Sequence, residues 1–496
     1  MLDWLKRLFR TQPQRRPRRP AGPVLLRGAR PAIQASYDAA QTTDENRKHW
    51  ANADALSASG ALSVTIRKTI RERARYETAN NCYAKGLTLT LANHLVGERG
   101  PGLQVLTPDT ALNQAIEQRW AEWSHEVRLA DSLRVLKQTK TVDGEAFARL
   151  ATNDALPTSV KLDLQLLEGD QVTDPWLVSF DSGYDGIVYD DYGNPALYRV
   201  LRYHPGDALR GFSIDYDEVP ARRMIHWYRQ DRPGQVRGVS ELTPALALFA
   251  QLRRFTLATL TAAETAAMFA AIVKTTGAGN TEDGDAPEYW STQEIVRGMM
   301  TALPDGYDMQ QFAAEHPNST HEQFVSVLLR EIGRCLNVPY HIVAGDYANS
   351  NYSTARLGSQ DFRLSMRVER QDCEREVLDP LFREWFEEAS LIPMLLPPGA
   401  QAYLAGLPHT WHWPTWEYID PMTEAQAAEK RLQVGISTKA DECGEQGQDW
   451  KAVIRQRVIE EQYEAQVRRE MGMEAPAAAK PRVAVAPAQV LSNTQR

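Results

Sequence analysis

The sequence predicts a helix-rich, mixed α+β fold, and three observations carry that expectation. Strand-like alternation is confined to residues 144–227, helix-period stripes run before and after it, and the low-charge segment 240–273 has the length of one long helix. At 496 residues, 43% hydrophobic and 24% charged, the chain has the composition of a globular protein of about three domains. Disorder is excluded as the main theme.

The formal net charge of −8 is unevenly spread. Residues 1–30 hold nine basic groups (Lys6, Arg7, Arg10, Arg15, Arg16, Arg18, Arg19, Arg27, Arg30) against Asp3, a charge of +8, so the remainder carries −16. Pro13, Pro17, Pro20, Pro23 and Pro31 prevent a helix through this stretch and no apolar face is available, which makes it a flexible arm. Its first ten residues suit a short basic amphipathic turn, pairing Trp4 with Leu8 and Leu5 with Phe9. Lys6, Arg7 and Arg10 interrupt any apolar signal core, so no secretory leader is expected. Arg253, Arg254 and Glu264 likewise break the most apolar region, and no membrane span is expected. Cys82, Cys335, Cys373 and Cys443 form no CxxC pair, pointing to a reducing compartment and no cysteine-rich zinc site.

From Asp44 to Leu95 the pattern is helical, with Leu62, Ile66 and Ile70 every fourth residue, and Gly97, Gly100, Pro101 and Gly102 end it. A second helix is expected from Thr107-Pro108, with Leu112, Ile116, Trp120 and Trp123 as a core stripe. Strands are expected at 146–150, 162–167, 197–203 and 224–227, in a mostly antiparallel sheet with turns such as 190–194. Residues 240–273 hold four charges and predict a helix of roughly 45 Å, buried on more than one side because it is apolar nearly all round. A Gly-rich acidic loop (275–287) and a small α/β segment to Phe312 follow. Further helices are expected at 319–337, with Ser319 and Glu322 at capping-box spacing, and at 353–379, stopping at Pro380. A Trp-rich loop spans 411–416. Asp420-Pro421 starts a short helix closed by Gly435, a charged helix covers 449–471, and the Ala/Pro-rich tail is disordered.

Catalytic constellations are missing from this pattern. There is no P-loop and no G-x-S-x-G elbow, and His321-Glu322 lacks the second histidine of a zinc helix. His409 and His412 have HxxH spacing, but sit among Trp411, Trp413, Pro414 and Trp416, where packing is the better account. Asp190, Asp191, Asp215, Asp217 and Glu218 lie in polar turns that favour Asp for backbone capping alone. Asn318-Ser319-Thr320 reads as a helix cap, and Cys335 falls on an apolar stripe with Phe324, Leu328 and Ile332. No catalytic residue, metal or cofactor is expected. Two features stand out: the small, polar loop 344–353 carrying Tyr347 and Tyr352, and the low-charge helix that leads into an acidic loop and returns by another helix.

Several segments, in this order, resemble the lambda-like family of tailed-bacteriophage portal proteins. They are Asp143-Gly-Glu-Ala-Phe-Ala148, Ile225-His-Trp-Tyr228, Arg232-Pro-Gly-Gln-Val-Arg-Gly238, Asn337-Val-Pro-Tyr340, Gly345-Asp-Tyr347 and Asn351-Tyr-Ser353. Tyr418-Ile-Asp-Pro421, Glu424-Ala-Gln-Ala427 and Gly435 extend the likeness, which covers roughly residues 37–461. The resemblance implies a portal fold that is helix-rich, with a turn-rich β wing, long stem helices, a small α/β clip and a helical crown. On that basis the chain divides into a basic Pro/Arg-rich flexible arm (1–36), wing (37–237), stem helix (238–273), clip (274–318), second stem helix and turn (319–343), tunnel loop (344–353), tunnel helix and wing return (354–419), crown (420–472) and disordered tail (473–496).

The same resemblance implies a homo-oligomeric ring, usually a dodecamer, at one capsid vertex, through which double-stranded viral DNA is packaged and later ejected. Asp346, Tyr347, Asn349, Ser350, Asn351 and Tyr352 would line the channel, and the clip with Glu282, Asp283 and Asp285 would face the terminase and then the head-completion and tail proteins. Major capsid and scaffold proteins are further expected partners, and the virion and, during assembly, the host cytoplasm are the expected locations. An acidic body at −16 suits a conduit better than a clamp, since gripping DNA requires clustered Lys and Arg. The arm suits contact with DNA, scaffold or a membrane surface, and equally a solvated tail. The alternatives are a hydrolase or transferase with its site in the 144–227 sheet, and a head-tail adaptor, which would not need a long stem plus crown.

Overall fold

The computed structural model describes residues 44, 47–174, 183–207, 215–268, 272–275, 307–310, 320–348, 352–416, 421–446 and 448–472. The chain divides into two units, residues 1–56 and 57–496. In the first, residues 47–52 form turns, so the helix expected from Asp44 begins later. The expected basic arm (Lys6, Arg7, Arg10, Arg15, Arg16, Arg18, Arg19), the clip acids Glu282, Asp283 and Asp285, and the tail lie outside the described residues.

The second unit opens with a helical turn at Ala58–Ala61 and then α1 (Val64–Asn80). Contrary to the expected stripe, Ile66 is exposed, as are Val64 and Tyr76, while Arg67, Arg71, Ala74 and Glu77 face inward. The reason is a buried carboxylate, Glu145, whose burial is tolerable only if cations reach it. Helix α2 (Cys82–Val96) is capped by Asn81, whose Oδ1 accepts from the Tyr83 and Ala84 N–H groups, and stops at Gly97 in a positive-φ conformation.

β1 (Gly102–Val105) pairs antiparallel with β11 (His409–His412), so the expected Trp-rich loop begins as a strand. α3 (Thr110–Glu126) starts at Asp109, which caps the Ala111 and Leu112 N–H groups, two residues beyond the expected Thr107-Pro108 start. Its stripe Leu112, Ile116, Trp120 and Trp123 is buried as expected. Trp120 packs against Phe382 (5.3 Å), Trp385 (5.3 Å) and Trp411 (5.5 Å), centring one core. α4 (Leu129–Asp143), which sequence reading missed, follows directly.

The expected antiparallel sheet is found. β2 (Glu145–Thr152) lies between β3 (Leu162–Leu167) and β8 (Met224–Tyr228). A second antiparallel sheet runs β4 (Gly183–Tyr184), β5 (Ile187–Tyr189), β6 (Pro195–Leu201), β7 (Tyr216–Pro220). Phe147, Ile187, Tyr198 and Val219 bury their side chains in one cluster spanning both sheets.

The long helix is shorter than expected: a 3₁₀ turn holds Pro244, and α5 covers Leu246–Met268. The β-branched pair Ile272-Val273, assigned above to its end, belongs to β9 (Ile272–Thr275), paired antiparallel with β10 (Tyr307–Gln310). The burial expectation also fails, because Leu252 is inside but Leu257 and Leu260 are more than half exposed. α6 (Thr320–Cys335), α7 (Tyr340–Ala344) and α8 (Tyr352–Cys373) pack with α1, α2 and α5 in a second core. On α6, Leu328 and Ile332 are buried, while Phe324 is exposed and Cys335 half-buried.

The chain does not stop at Pro380. A π-helical turn at Glu374–Leu378 brings the Asp379 N–H to the Glu374 carbonyl, and α9 (Asp379–Leu391) continues with Pro380 in its first turn, where a missing N–H costs nothing. α10 (Pro421–Val434) is closed by Gly435 as expected, α11 (Lys439–Glu445) carries a Thr438/Asp441 capping box, and α12 (Trp450–Glu470) has no buried residue. Among the described residues, no helix is long and apolar enough to cross a membrane.

Candidate functional site

The resemblance segments 143–148 and 232–238 meet in space. A Cβ on Gly144 (φ +92°) would lie 2.1 Å from the Val239 carbonyl carbon, and one on Gly238 2.1 Å from the Gly144 oxygen. The two backbones cross so closely that only hydrogen fits between them. This crossing joins the end of α4 and the start of β2 to the segment that leads into α5.

Glu145, the residue after Gly144, is wholly buried beside the crossing. Arg237 donates to it twice, from Nε to Oε2 at 2.8 Å and from Nη2 to Oε1 at 2.7 Å. Arg71 Nη2 (2.9 Å), Arg67 Nη1 (3.3 Å) and the Gly238 N–H (3.0 Å) complete the shell. Burial alone would raise this carboxyl, but Arg237 and its neighbours hold it well below the usual carboxylate range. Asp185 accepts from Arg237 at 2.9 Å and also pairs with Arg67. His226 Nε2 lies 3.4 Å from Glu145, and burial keeps that imidazole below its ordinary pKa.

A second buried cluster ties α4 to α8. Lys140 Nζ donates to Glu241 and to Glu369 at 2.6 Å each, and Lys137 Nζ to Glu369 at 2.9 Å and Glu241 at 3.4 Å. Desolvation would raise both carboxyls, yet the two lysines lower them. On the other flank of α8, Arg370 donates to the carbonyls of Leu95 (2.9 Å), His94 (3.1 Å) and Pro414 (2.9 Å) and lies over the Trp416 ring at 4.3 Å. The first two are last-turn carbonyls of α2, which have no partner within their own helix.

The segment singled out in the sequence precedes α8, the helix that bears Glu369 and Arg370. α6 ends where the Val338 N–H returns to the Gly333 carbonyl (2.8 Å) with Asn337 in the left-handed region, and α7 ends at Gly345, also left-handed. Asp346 Oδ1 then accepts from the Ala348 N–H (2.9 Å), a local turn. Tyr347 is 62% exposed, its ring 5.6 Å from that of His341. Asn349, Ser350 and Asn351 lie outside the described residues, and of Tyr352 only the helical backbone is described.

The remaining candidates have local partners. His409 contacts Asp379 (3.3 Å) and the Leu407 carbonyl (2.7 Å), and His412 contacts Gln104 (2.6 Å). Asp190 caps its turn by accepting from Tyr192 and Asn194, and Asp217 pairs with Arg149 and Arg202. Glu168, Asp170 and His204 bring ligand atoms within 4.8 Å of one another, but Arg75 reaches both carboxylates and Arg71 reaches Asp170, which opposes a cation there.

The two charge clusters were missed in the sequence although a signal existed: Lys140 continues the apolar stripe Leu129, Leu133 and Leu136, and a charged residue on a core stripe calls for a buried partner.

Residues 44–370 match the family described as phage portal protein, lambda family. The probable portal protein of Halomonas phage phiHAP-1 is 24% identical over 443 residues, covering 84% of this chain and 85% of that protein. The portal protein of Escherichia phage N15 and portal protein B of Escherichia phage lambda are each 25% identical, over 59% of this chain and 60% of their own length. Among solved structures, a chain from the neck of a native gene transfer agent particle aligns at a TM-score of 0.43 and 14% identity, over 73% of this chain and 88% of that one.

Proposed function

The chain belongs to the lambda family of phage portal proteins, and from that premise we propose that copies of it close a ring, usually twelve in this family, through which double-stranded DNA is packaged and later ejected. The family match over residues 44–370 carries this reading, because it spans the glycine crossing, both charge clusters and α8 through Arg370.

Surface chemistry supports association. Leu257 and Leu260 on α5 and Leu357, Leu364 and Val368 on α8 are exposed in the single chain, and burying such side chains against neighbours is favourable. Helix α12 is 21 residues long with no buried residue, and a helix of that kind gains most of its stability from a packing partner. A head-to-tail ring supplies partners to two different faces at once.

Within the ring, residues 37–237 form the wing, 238–273 and 319–343 the stem, 274–318 the clip, 344–353 the tunnel loop, 354–419 the tunnel helix and wing return, and 420–472 the crown. The ring sits at a capsid vertex after assembly in the host cytoplasm, contacting capsid and scaffold proteins. The clip acids Glu282, Asp283 and Asp285 meet terminase and then head-completion and tail proteins. Asp346, Tyr347, Asn349, Ser350, Asn351 and Tyr352 face the DNA, and an acidic body lets phosphates pass without counterion-releasing contacts. The arm, with Lys6, Arg7, Arg10, Arg15, Arg16, Arg18 and Arg19, tethers an anionic partner. ATP hydrolysis belongs to the terminase.

Shortening residues 346–352 tests the conduit. Subunit folding and ring mass are expected to stay unchanged while packaged DNA falls; normal particle yield and infectivity would refute the channel role.

A further inference from the structure

Helix α8 has two apolar stripes. Phe362, Met366 and Cys373 are 1%, 4% and 0% exposed, whereas Leu357, Leu364 and Val368 are 63%, 55% and 56% exposed. At about 100° per residue, the two stripes lie roughly 160° apart around the helix. Both are apolar, Phe, Met and Cys against Leu, Leu and Val, so burial of area alone discriminates weakly between this setting and its half-turn alternative, since cores accept apolar exchanges of similar total volume.

The polar contacts are not interchangeable. Glu369 and Arg370 flank the buried stripe on opposite sides. Glu369 meets Lys137 and Lys140, which with Glu241 make a buried group of two cations and two anions. Arg370 meets the carbonyls of Leu95, His94 and Pro414. A half-turn of α8 would leave two buried lysines facing Glu241 alone and would strip the last carbonyls of α2 of this donor, both costly in a dry interior.

We infer that Glu369 and Arg370 are positioning residues that set the rotation of α8, deciding which apolar stripe is packed within the chain and which is presented outward. The two residues act in different ways. Glu369 selects through charge, because it faces the lysine pair; Arg370 selects through geometry, because three carbonyls converge on one guanidinium. A buried ion cluster is weak grounds for stability, since apolar replacement of the whole cluster is often tolerated. The inference concerns the chain's own packing and stands or falls independently of the portal reading.

The test places a reporter thiol on each stripe of the full-length chain, diluted so that subunits stay apart, Leu364→Cys and, separately, Met366→Cys, and locates the label by peptide mass mapping. With the cluster intact, position 364 labels and 366 is protected. Two variants are then compared: Glu369→Gln with Arg370→Gln, and the apolar cluster Lys137→Met, Lys140→Met, Glu241→Met and Glu369→Met with Arg370→Met. The expected result in a folded variant is opposite movement, with labelling falling at 364 and rising at 366. A cluster that merely stabilises would loosen the helix and raise both together. That outcome, an unchanged ratio in either folded variant, or failure of both variants to fold would overturn the inference.

Discussion

Glu145 and Arg237 bind each other through two hydrogen bonds of 2.8 and 2.7 Å, both wholly inside the protein and each one residue inward from a glycine of the crossing pair Gly144 and Gly238. The backbone crossing and the ion pair are therefore one construction: the glycines allow the approach, and the approach brings the charges together.

Glu145→Ala leaves Arg237, Arg71 and Arg67 without their shared carboxylate. Breaking a buried pair in this way is expected to cost about 3–5 kcal/mol, read as a lower denaturant midpoint. Arg119→Ala, which removes a pair with Glu122 whose two side chains are about half exposed, is expected to cost no more than about 1 kcal/mol. Equal losses would contradict the hub role.

Gly144→Ala and Gly238→Ala each place a methyl group inside backbone atoms and are expected to abolish soluble folded protein. Gly193→Ala is the control, because Gly193 also has positive φ (+85°) but nothing within 4 Å of its Cβ position; its expected cost is about 1–2 kcal/mol. Solubility and melting temperature of the three variants distinguish steric crossing from backbone strain.

Acid sensitivity should begin at His226. Burial lowers the pKa of His226 in the fold, so below its unfolded value of about 6.5 the unfolded chain binds the extra proton and stability falls as pH falls. The carboxyls of Glu145 and Glu241 are depressed instead; their contribution is present above the unfolded value of about 4.3 and is lost only as pH drops through the lower folded values. The melting temperature is expected to decline between roughly pH 7 and pH 5, less steeply in His226→Gln. An identical slope in the variant would contradict this assignment.

Leu257→Asp with Leu260→Asp alters exposed positions of α5. Subunit melting should move little, by less than about 0.5 kcal/mol for each change, whereas ring mass should be lost. Retention of the full ring would remove this face from the interface.

Much of the fold was legible because period reports burial directly: the α3 stripe through Trp120 and Trp123 and the strands of the two sheets follow their patterns. Two of the failures share one cause. Periodicity ranks side chains by apolarity, so it read Ile66 as the inner face of α1, while a buried anion elsewhere in the chain drew Arg67 and Arg71 inward. It likewise treated the apolar girdle of α5 as core, although Leu257 and Leu260 have no cover within one subunit. Pro380 read as a stop because the sequence does not reveal a π turn able to absorb it. Of the candidate site, Asp346 and Tyr347 lie in a turn after α7, and the Lys140 cluster depends on residues more than a hundred positions apart.

Electron microscopy of the purified full-length chain, together with its mass, decides whether its copies close a ring. A ring with a central hole and a mass that is a whole multiple of the 55.8 kDa chain is expected. A compact monomer at every protein and salt concentration would contradict it.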